Sequence, residues 1–428
     1  MSKDRISGSD RKPSASKQLR VGVLTVGDEI LEGRIVDLHS RTTSSLLTPL
    51  GIEISWHMSV GDAAGLLSSA LSSWSSTVDM VVVAGGLGPT EDDRSRDELA
   101  TAGAVDLEFD ESLWQRICAR LQKAGVEPAE NNRNQAYRPE GSEFLENEWG
   151  TAPGIQQQLP GGALVFALPG VPYEFQQMLK KYVLPWAETQ SSSSGTNEIL
   201  EFVGVAESIL DEWIVAERAG QTDHHICVKN WGQIEVRLPP GESLIENAVD
   251  RFGASFVGEG GVGAEYHLVA AARAAGVTIS TAESCTGGMI GGRITDVPGS
   301  SDIYPGGWIC YSYAAKSQEL DVDPQVIESE GAVSSEVVKM MAEGARHKSG
   351  SDVAIAISGI AGPGGATEEK PVGTVWMAIA GEDETRTHCY HLQGSRDRIR
   401  QLSSNLAILV LLAVIRQQEI PGWSTTRS

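Results

Sequence analysis

Two rhythms of apolar residues run along this chain. Short unbroken apolar runs read as strands buried on both faces, and apolar positions three or four apart read as helices. Residues 19–26 form such a run and stop at Gly27, Asp28 and Glu29. The pattern next predicts one helix over 30–50, a strand over 52–60, a helix over 63–74 and a third strand over 80–84. Residues 164–168 are one more strand. Strands that alternate with helices predict parallel βαβ units.

A serine run at 191–194 followed by Gly195 reads as a flexible linker. Residues 197–256 then look like a small α+β module, with strands at 198–203 and 233–238. Four glycines within 258–263 mark a second boundary. The last segment returns to the α/β rhythm. Helices are predicted at 264–275, 324–330, 335–347 and 396–417, and strands at 278–282, 307–311, 353–358 and 374–380. The expected organisation is a disordered tail (1–18), a three-layer α/β domain (19–190), the small α+β module (191–258) and a second α/β domain (259–420).

The 428 residues suffice for several domains, and 41% apolar residues suffice for their cores. Asp and Glu number 57 against 34 Lys and Arg, a net charge of −23. That balance argues against a general binder of nucleic acid or acidic membrane, which relies on clustered cations. Five scattered cysteines without Cys-x-x-Cys spacing argue against zinc or a disulfide framework and fit a cytoplasmic compartment. The polar first eighteen residues contain no secretory core. The apolar run 406–415 is too short to span a bilayer and reads as part of a buried helix.

Several stretches carry chemistry. The run from Gly85 to Asp93 follows a buried strand, and its glycines let backbone N–H groups approach an anion. Thr90 adds a hydroxyl, and Asp92 and Asp93 suit a hard divalent cation. A tight turn with solvated acids would look the same. Asp28 and Glu29, also just after a strand, either face the same crevice or are helix N-terminal carboxylates favoured by the helix dipole. In Ala282-Glu-Ser-Cys-Thr-Gly-Gly288, hydroxyls and paired glycines open a helix, as an oxyanion or phosphate site requires. Ser284, Cys285 and Thr286 are nucleophile or donor candidates there, and an ordinary helix cap over a buried cysteine is the alternative. Ser301, Tyr311 and Lys316 are a candidate nucleophile and base, in which a lysine of lowered pKa would serve as base; a turn serine, a core tyrosine and a surface lysine are the commoner alternative. Ser358 and Gly359 start the longest glycine-rich loop. Arg396, Arg398 and Arg400 cluster on the last helix, where a guanidinium fork suits phosphate.

Taken in order, these stretches resemble the CinA family (competence/damage-inducible proteins) from about Leu19 to Ile415. The N-terminal match runs through Gly27 to Leu31, Gly85 to Thr90 with Asp92 and Asp93, Asn132-Arg133 with Gln135-Ala136, Gly150 to Gly154, and Leu168 to Pro172 with Glu174. It resembles a molybdopterin-binding-type domain. The C-terminal match runs through Ala282 to Gly288, Asp296 to Ser301, Tyr311-Ser312 with Ala315-Lys316, Gly331 to Ser334, Gly359 to Gly365 and Glu369 to Thr374. It resembles a nicotinamide-nucleotide amidase domain.

The resemblance implies hydrolysis of nicotinamide mononucleotide to nicotinate mononucleotide and ammonia, a pyridine-nucleotide salvage step. It also implies metal-dependent cleavage of ADP-ribose at its pyrophosphate in the N-terminal domain. Ser284 and Ser301 both stand as the amidase nucleophile, with Lys316 and Tyr311 moving the proton. Thr286, Gly287, Gly288 and Gly359 would stabilise the oxyanion or seat the phosphate, and Ser358 and Arg396 would contact the nucleotide. No metal is expected in the amidase. Gly85, Gly86, Gly88 and Thr90 would hold the pyrophosphate, and Glu29, Asp92 and Asp93 a divalent metal. Small nucleotides, not nucleic acid or membrane, are the expected partners, and a homo-oligomer (a dimer) the expected assembly.

Two rival readings stand beside this one. The N-terminal domain would merely bind a pterin or nucleotide, or the protein would act as an interaction factor in competence or DNA repair. Three positions depart from the family pattern: Tyr313 and Ala314 replace Asn and Glu, His39 replaces Asn, and Ser95 replaces Thr.

Overall fold

The computed structural model describes residues 19–190, 197–229, 232–420 and 423. The predicted tail (1–18) and linker (191–195) lie outside the described residues. The chain divides into two compact units, one ending at Thr196 and one starting at Asn197.

The first unit is built on β1 (Arg20–Val26), β2 (Glu53–Val60) and β3 (Met80–Ala84). Around them lie α1 (Asp28–Leu31), α2 (Leu38–Leu47) and α3 (Leu66–Trp74). Next come α4 (Ser95–Gly103), β4 (Leu107–Phe109), α5 (Glu111–Lys123), β5 (Tyr137–Pro139), β6 (Glu143–Leu145), β7 (Gly154–Gln158) and β8 (Leu164–Leu168). α6 (Pro172–Met178) and α7 (Leu184–Gln190) close the unit. The main sheet has the order β2-β1-β3-β8-β7-β6.

All of β3 is buried, and successive side chains alternate between faces. Met80 and Val82 join a core with Phe166, Phe175 and Leu47, whereas Val81 and Val83 join Leu67, Leu71 and Leu99 on the other face. This is the expected three-layer α/β arrangement. Two expectations fail. The sheet is mixed, because a short turn at Leu159–Ala163 folds β7 back antiparallel to β8. The helix predicted over 30–50 is also broken. Gly33 takes a φ of +70°, in the left-handed region that favours glycine. Asp37 then caps α2 by accepting from the N–H groups of His39 (2.9 Å) and Ser40 (3.1 Å).

The second unit opens with β9 (Glu198–Val203), α8 (Glu207–Glu217), β10 (His225–Val228), β11 (Gln233–Leu238), α9 (Ile245–Phe252) and β12 (Phe256–Glu259). These strands form an antiparallel sheet, β10-β11-β9-β12. Phe202, Trp213, Phe252 and Phe256 pack edge to face or tilted beneath it. Its Val203, Ala254 and Val257 share a core with Leu268 and Ile408 of the following segment, so the small module and that segment are one compact unit.

The segment continues with α10 (Ala264–Ala275), β13 (Ile279–Glu283), α11 (Met289–Thr295), β14 (Gly306–Ile309), α12 (Tyr313–Leu320), α13 (Pro324–Glu330) and α14 (Ser335–Ser349). It ends with β15 (Val353–Gly359), β16 (Thr374–Ala380), β17 (Thr385–His391) and α15 (Arg396–Ile415). Strand order is β14-β13-β15-β16-β17, parallel through β15 and antiparallel beyond it. On β15, Val353, Ile355 and Ile357 face the α15 core, and Ala354 and Ala356 face α14. α15 alone among the described helices is long and apolar enough to cross a membrane. Residues Ala407 to Ala413 are all buried, which makes it the core helix of this unit.

Replacing Asp37 with Ala removes the α2 cap and is expected to cost about 1 kcal/mol of stability. Urea unfolding of wild type and variant measures this, and equal midpoints would mean that Gly33 alone sets the break.

Candidate functional sites

In the second unit, β13 ends between β14 and β15, and the chain turns there into α11. The Ser284 N–H donates to Ile357 O (3.0 Å), and the Cys310 N–H donates to Glu283 O (2.8 Å). Ser284 therefore sits at the C-terminal end of the central strand, where open α/β sheets place ligands. Lys316 reaches it from α12, whose start is capped by the Ser312 hydroxyl. The Lys316 ammonium is 1% exposed. It donates to Ser284 Oγ (3.1 Å) and to Cys310 O (2.6 Å). Among the described residues no carboxylate pairs with it. Burial pushes its pKa below the ordinary lysine value, and the neighbouring Cys310 and Cys285 only partly oppose that.

The turn holding Ser284 is clamped from two sides. Glu283, buried, accepts from the N–H groups of Gly288 (2.9 Å), Ile290 (3.2 Å) and Gly291 (2.8 Å). Arg400 donates to the carbonyls of Cys285 (3.0 Å) and Thr286 (2.9 Å). Cys285 lies beneath, its thiol pushed up to about 12 by burial, so it is no thiolate nucleophile at neutral pH.

Other predicted residues fall differently. Ser301 lies in a 3₁₀ turn at the opposite end of β13, since Ile279, the first residue of that strand, donates to Ile303 O (2.7 Å). Five residues of strand separate Ile279 from Ser284, about 16 Å, so Ser301 does not meet Lys316 within the unit. Tyr311 is exposed and accepts from Arg396 (3.1 Å), which also donates to Gly362 O (2.8 Å). Tyr311 and Arg396 thus stand together at the rim, with Tyr313 exposed beside them. Gly288 has no free N–H for an oxyanion, because Glu283 takes it. Gly287 donates to Ser284 O (3.1 Å) and stabilises the turn. The Thr286 hydroxyl is buried without a hydrogen-bond partner among the described residues. Ser358 donates to Ala332 O (2.7 Å), which commits its proton to the scaffold. Gly359 packs so closely on Cys285 that an added Cβ would lie 3.2 Å from the sulfur.

In the first unit, the ends of β1, β3 and β8 surround a cleft lined by Glu29, Asp62, Gly86, Gly88, Asp92 and Glu174. Burial pushes the Asp62 carboxyl above the usual range, and the charges of Asp28, Glu29 and Asp92 add to the rise. Thr90 is not free for a ligand: its N–H (2.9 Å) and hydroxyl (2.5 Å) both donate to Asp93. Asp93 is correspondingly a clasp of its own loop and packs against Gly88. Among the described residues no three His, Cys, Asp or Glu side chains converge on a metal position, so Glu29, Asp92 and Asp93 do not form a closed ligand set. Ser95 keeps the hydroxyl of the Thr it replaces and donates to Gly85 O (2.8 Å). His39 is buried, bonded to Gly170 O (2.8 Å), and burial pushes its pKa down.

Sequence reasoning missed Glu283, Asp62 and the clamping role of Arg400. Glu283 carried a signal, an acid inside an otherwise uncharged strand end. Asp62 carried none, because it stands alone in a turn.

Residues 263–415 match the description CinA C-terminal domain, and residues 22–189 match Probable molybdopterin binding domain. A putative competence-damage inducible protein of Caldicellulosiruptor bescii is 34% identical over 401 residues, covering 91% of this chain and 97% of its own. A CinA-like protein of Akkermansia muciniphila is 37% identical over 413 residues, covering 94% and 99%. The chain belongs to the CinA family. A crystal structure of a competence/damage inducible protein from Agrobacterium tumefaciens is 35% identical with a TM-score of 0.35, covering 36% of this chain and 97% of that one. Another, of a CinA protein with unknown function from Thermoplasma acidophilum, is 33% identical with a TM-score of 0.36, covering 38% and 95%. Both domains of the CinA family thus coincide with the two sites just described.

Lys316 has a consequence for stability. Its folded pKa is depressed, so between that value and the ordinary one near ~10.4 the unfolded chain binds a proton that the folded chain does not. Stability is expected to rise with pH through that window, and Lys316→Met to flatten the rise. Urea midpoints of both proteins across neutral to alkaline pH test it, and parallel curves would contradict a depressed lysine.

Proposed function

We propose that the second unit is a serine amidase acting on the carboxamide of nicotinamide mononucleotide. The observation that carries this reading is the 3.1 Å contact between Lys316 Nζ and Ser284 Oγ, made by a buried lysine with no carboxylate partner among the described residues. Burial lowers the pKa of Lys316, and in its neutral form the amine accepts the serine proton. Ser284 Oγ then attacks the carboxamide carbon, and Lys316 returns the proton to the departing nitrogen, which leaves as ammonia. Water attacks the resulting ester with Lys316 again as base, releasing nicotinate mononucleotide and restoring the serine. Arg396 and Tyr311 at the rim suit the phosphate and ribose. The choice of substrate rests on the family motifs from Ala282 to Thr374, not on the dyad itself.

Ser284→Ala is expected to lower ammonia release from the mononucleotide by at least about a thousandfold, and Ser301→Ala to leave it near wild type. Full activity in Ser284→Ala would end the reading. Since the base must be neutral, the rate should rise with pH, with a midpoint below that of an ordinary lysine, and a rate independent of pH would count against Lys316.

For the first unit, the cleft supports a second reading, metal-assisted cleavage of the pyrophosphate of ADP-ribose. The acidic cleft, with its raised Asp62, suits a divalent cation that takes one or two carboxylates and completes its shell with substrate oxygens and water. Glu29, Asp62 and Asp92 line the cleft without converging on one position, so one or two of them would hold it, and bound there it would neutralise charge on the pyrophosphate. Incubation of the full chain with ADP-ribose across a panel of divalent metals is expected to release AMP and ribose 5-phosphate. No turnover with any metal would reject hydrolysis, and saturable binding alone would leave a nucleotide-binding module.

A further inference from the structure

The glycine-rich loop of the first unit has an unusual division of its polar groups. Four consecutive carbonyls are tied toward the start of α4. Gly85 O accepts from the Ser95 hydroxyl (2.8 Å), and Gly86 O from the Ser95 N–H (3.0 Å). Leu87 O accepts from Arg96 (2.7 Å), and Gly88 O from the same guanidinium (2.8 Å). Arg96 reaches Asp93 O as well (3.1 Å), which closes the loop on itself. The opposite groups are unmatched. Among the described residues no acceptor meets the N–H of Gly86, Leu87 or Gly88. These three residues line the cleft.

Leu87 is buried and Gly86 and Gly88 are half-buried, and successive N–H groups without a protein partner suit an anion. The loop has this polarity because something else holds its carbonyls. Ser95 holds two of the four and Arg96 the other two. The carbonyl of one residue and the N–H of the next point oppositely across a trans peptide, so Ser95 turns out the N–H groups of Gly86 and Leu87, and Arg96 that of Gly88. Arg96 is 4% exposed, and no carboxylate lies within ion-pair distance of it among the described residues. Burial works against its charge, and the nearby carboxylates of Asp93 and Asp97 act to keep it. No lysine or arginine lines the cleft itself, which is otherwise acidic. The glycines fit the same logic, because a Cβ on Gly86 would lie 2.2 Å from the Ser95 hydroxyl.

We propose that Arg96, together with Ser95, positions the Gly85–Thr90 loop as a receptor for a pyrophosphate-type oxyanion: Ser95 turns the N–H groups of Gly86 and Leu87 toward the cleft, and Arg96 turns that of Gly88 and closes the loop through Asp93 O. This rests on the reading of that cleft as a site for a phosphorylated ligand. The planar fork matters as well as the charge, since two loop carbonyls and Asp93 O are held at once. A lysine in its place keeps the charge and loses the geometry.

The test is calorimetric titration of the full chain with inorganic pyrophosphate and magnesium. Wild type is expected to bind saturably, and Arg96→Met and Arg96→Lys to lose at least tenfold in affinity. Added guanidinium ion should restore binding to Arg96→Ala, whereas ammonium at the same concentration should not, a distinction that simple loss of packing would not produce. Should the variants fail to fold, the wild-type amide resonances of Gly86, Leu87 and Gly88 decide instead: they should shift on addition of pyrophosphate, and unmoved resonances overturn the proposal. If wild type binds and both the Met and Lys variants bind equally well, the cleft reading survives and the role of Arg96 is overturned. If wild type does not bind pyrophosphate at all, both fall.

Discussion

A lysine ammonium buried without a counter-ion governs the second unit. Removing that charge from water is expensive, and a protein meets the expense by neutralising the group or by pairing it. Lys316 is unpaired among the described residues, and its two contacts are the carbonyl of Cys310 and the hydroxyl of Ser284. The surrounding charges are placed so as not to pair with it. Glu283 is one residue from Ser284, yet its carboxylate is taken up by three N–H groups of the next helix. Arg400 holds the carbonyls on the other side of the same turn. Were Glu283 to pair with Lys316, the lysine would stay protonated and could not serve as a base. The capping of α11 and the state of Lys316 are therefore one arrangement.

The strands were the most legible part of the chain, because fully apolar segments such as β3 and β15 admit few other readings. Where polar groups decide the outcome, legibility falls. The break between α1 and α2 depends on Gly33 and Asp37, two residues within a segment whose apolar spacing reads as one helix. β17 was missed because it lies at a sheet edge and alternates polar residues of intermediate burial. β7 was missed as a strand because three glutamines fill it, and its direction follows from the length of a connection, not from strand composition. At the site, the residue types of Ser284 and Lys316 were legible and their pairing was not. Two serines near a lysine in sequence stayed equivalent until the register of β13 with β14 put Ser301 at the far end of the sheet.

The two glycine-rich turns show why composition could not separate their chemistry. Both follow a buried strand, and both carry hydroxyls, glycines and an acid. In the sequence they read alike, as places where backbone N–H groups meet an anion. The structure puts opposite clamps on them. In the second unit the carboxylate of Glu283 takes the N–H groups of Gly288, Ile290 and Gly291, which closes that helix terminus to a phosphate. What the turn offers instead is a hydroxyl beside an amine. In the first unit Ser95 and the Arg96 guanidinium take two carbonyls each, and the N–H groups of Gly86, Leu87 and Gly88 have no acceptor among the described residues. An acceptor side chain, Glu283, closes the N–H halves of one turn, and donors, Ser95 and Arg96, close the carbonyl halves of the other. On the proposed amidase reading, a substrate carrying both an amide and a phosphate must find its phosphate partner in the second unit away from the Ser284 turn. Arg396, whose guanidinium lies at the rim with Tyr311 and not under the turn, is placed for that division of labour.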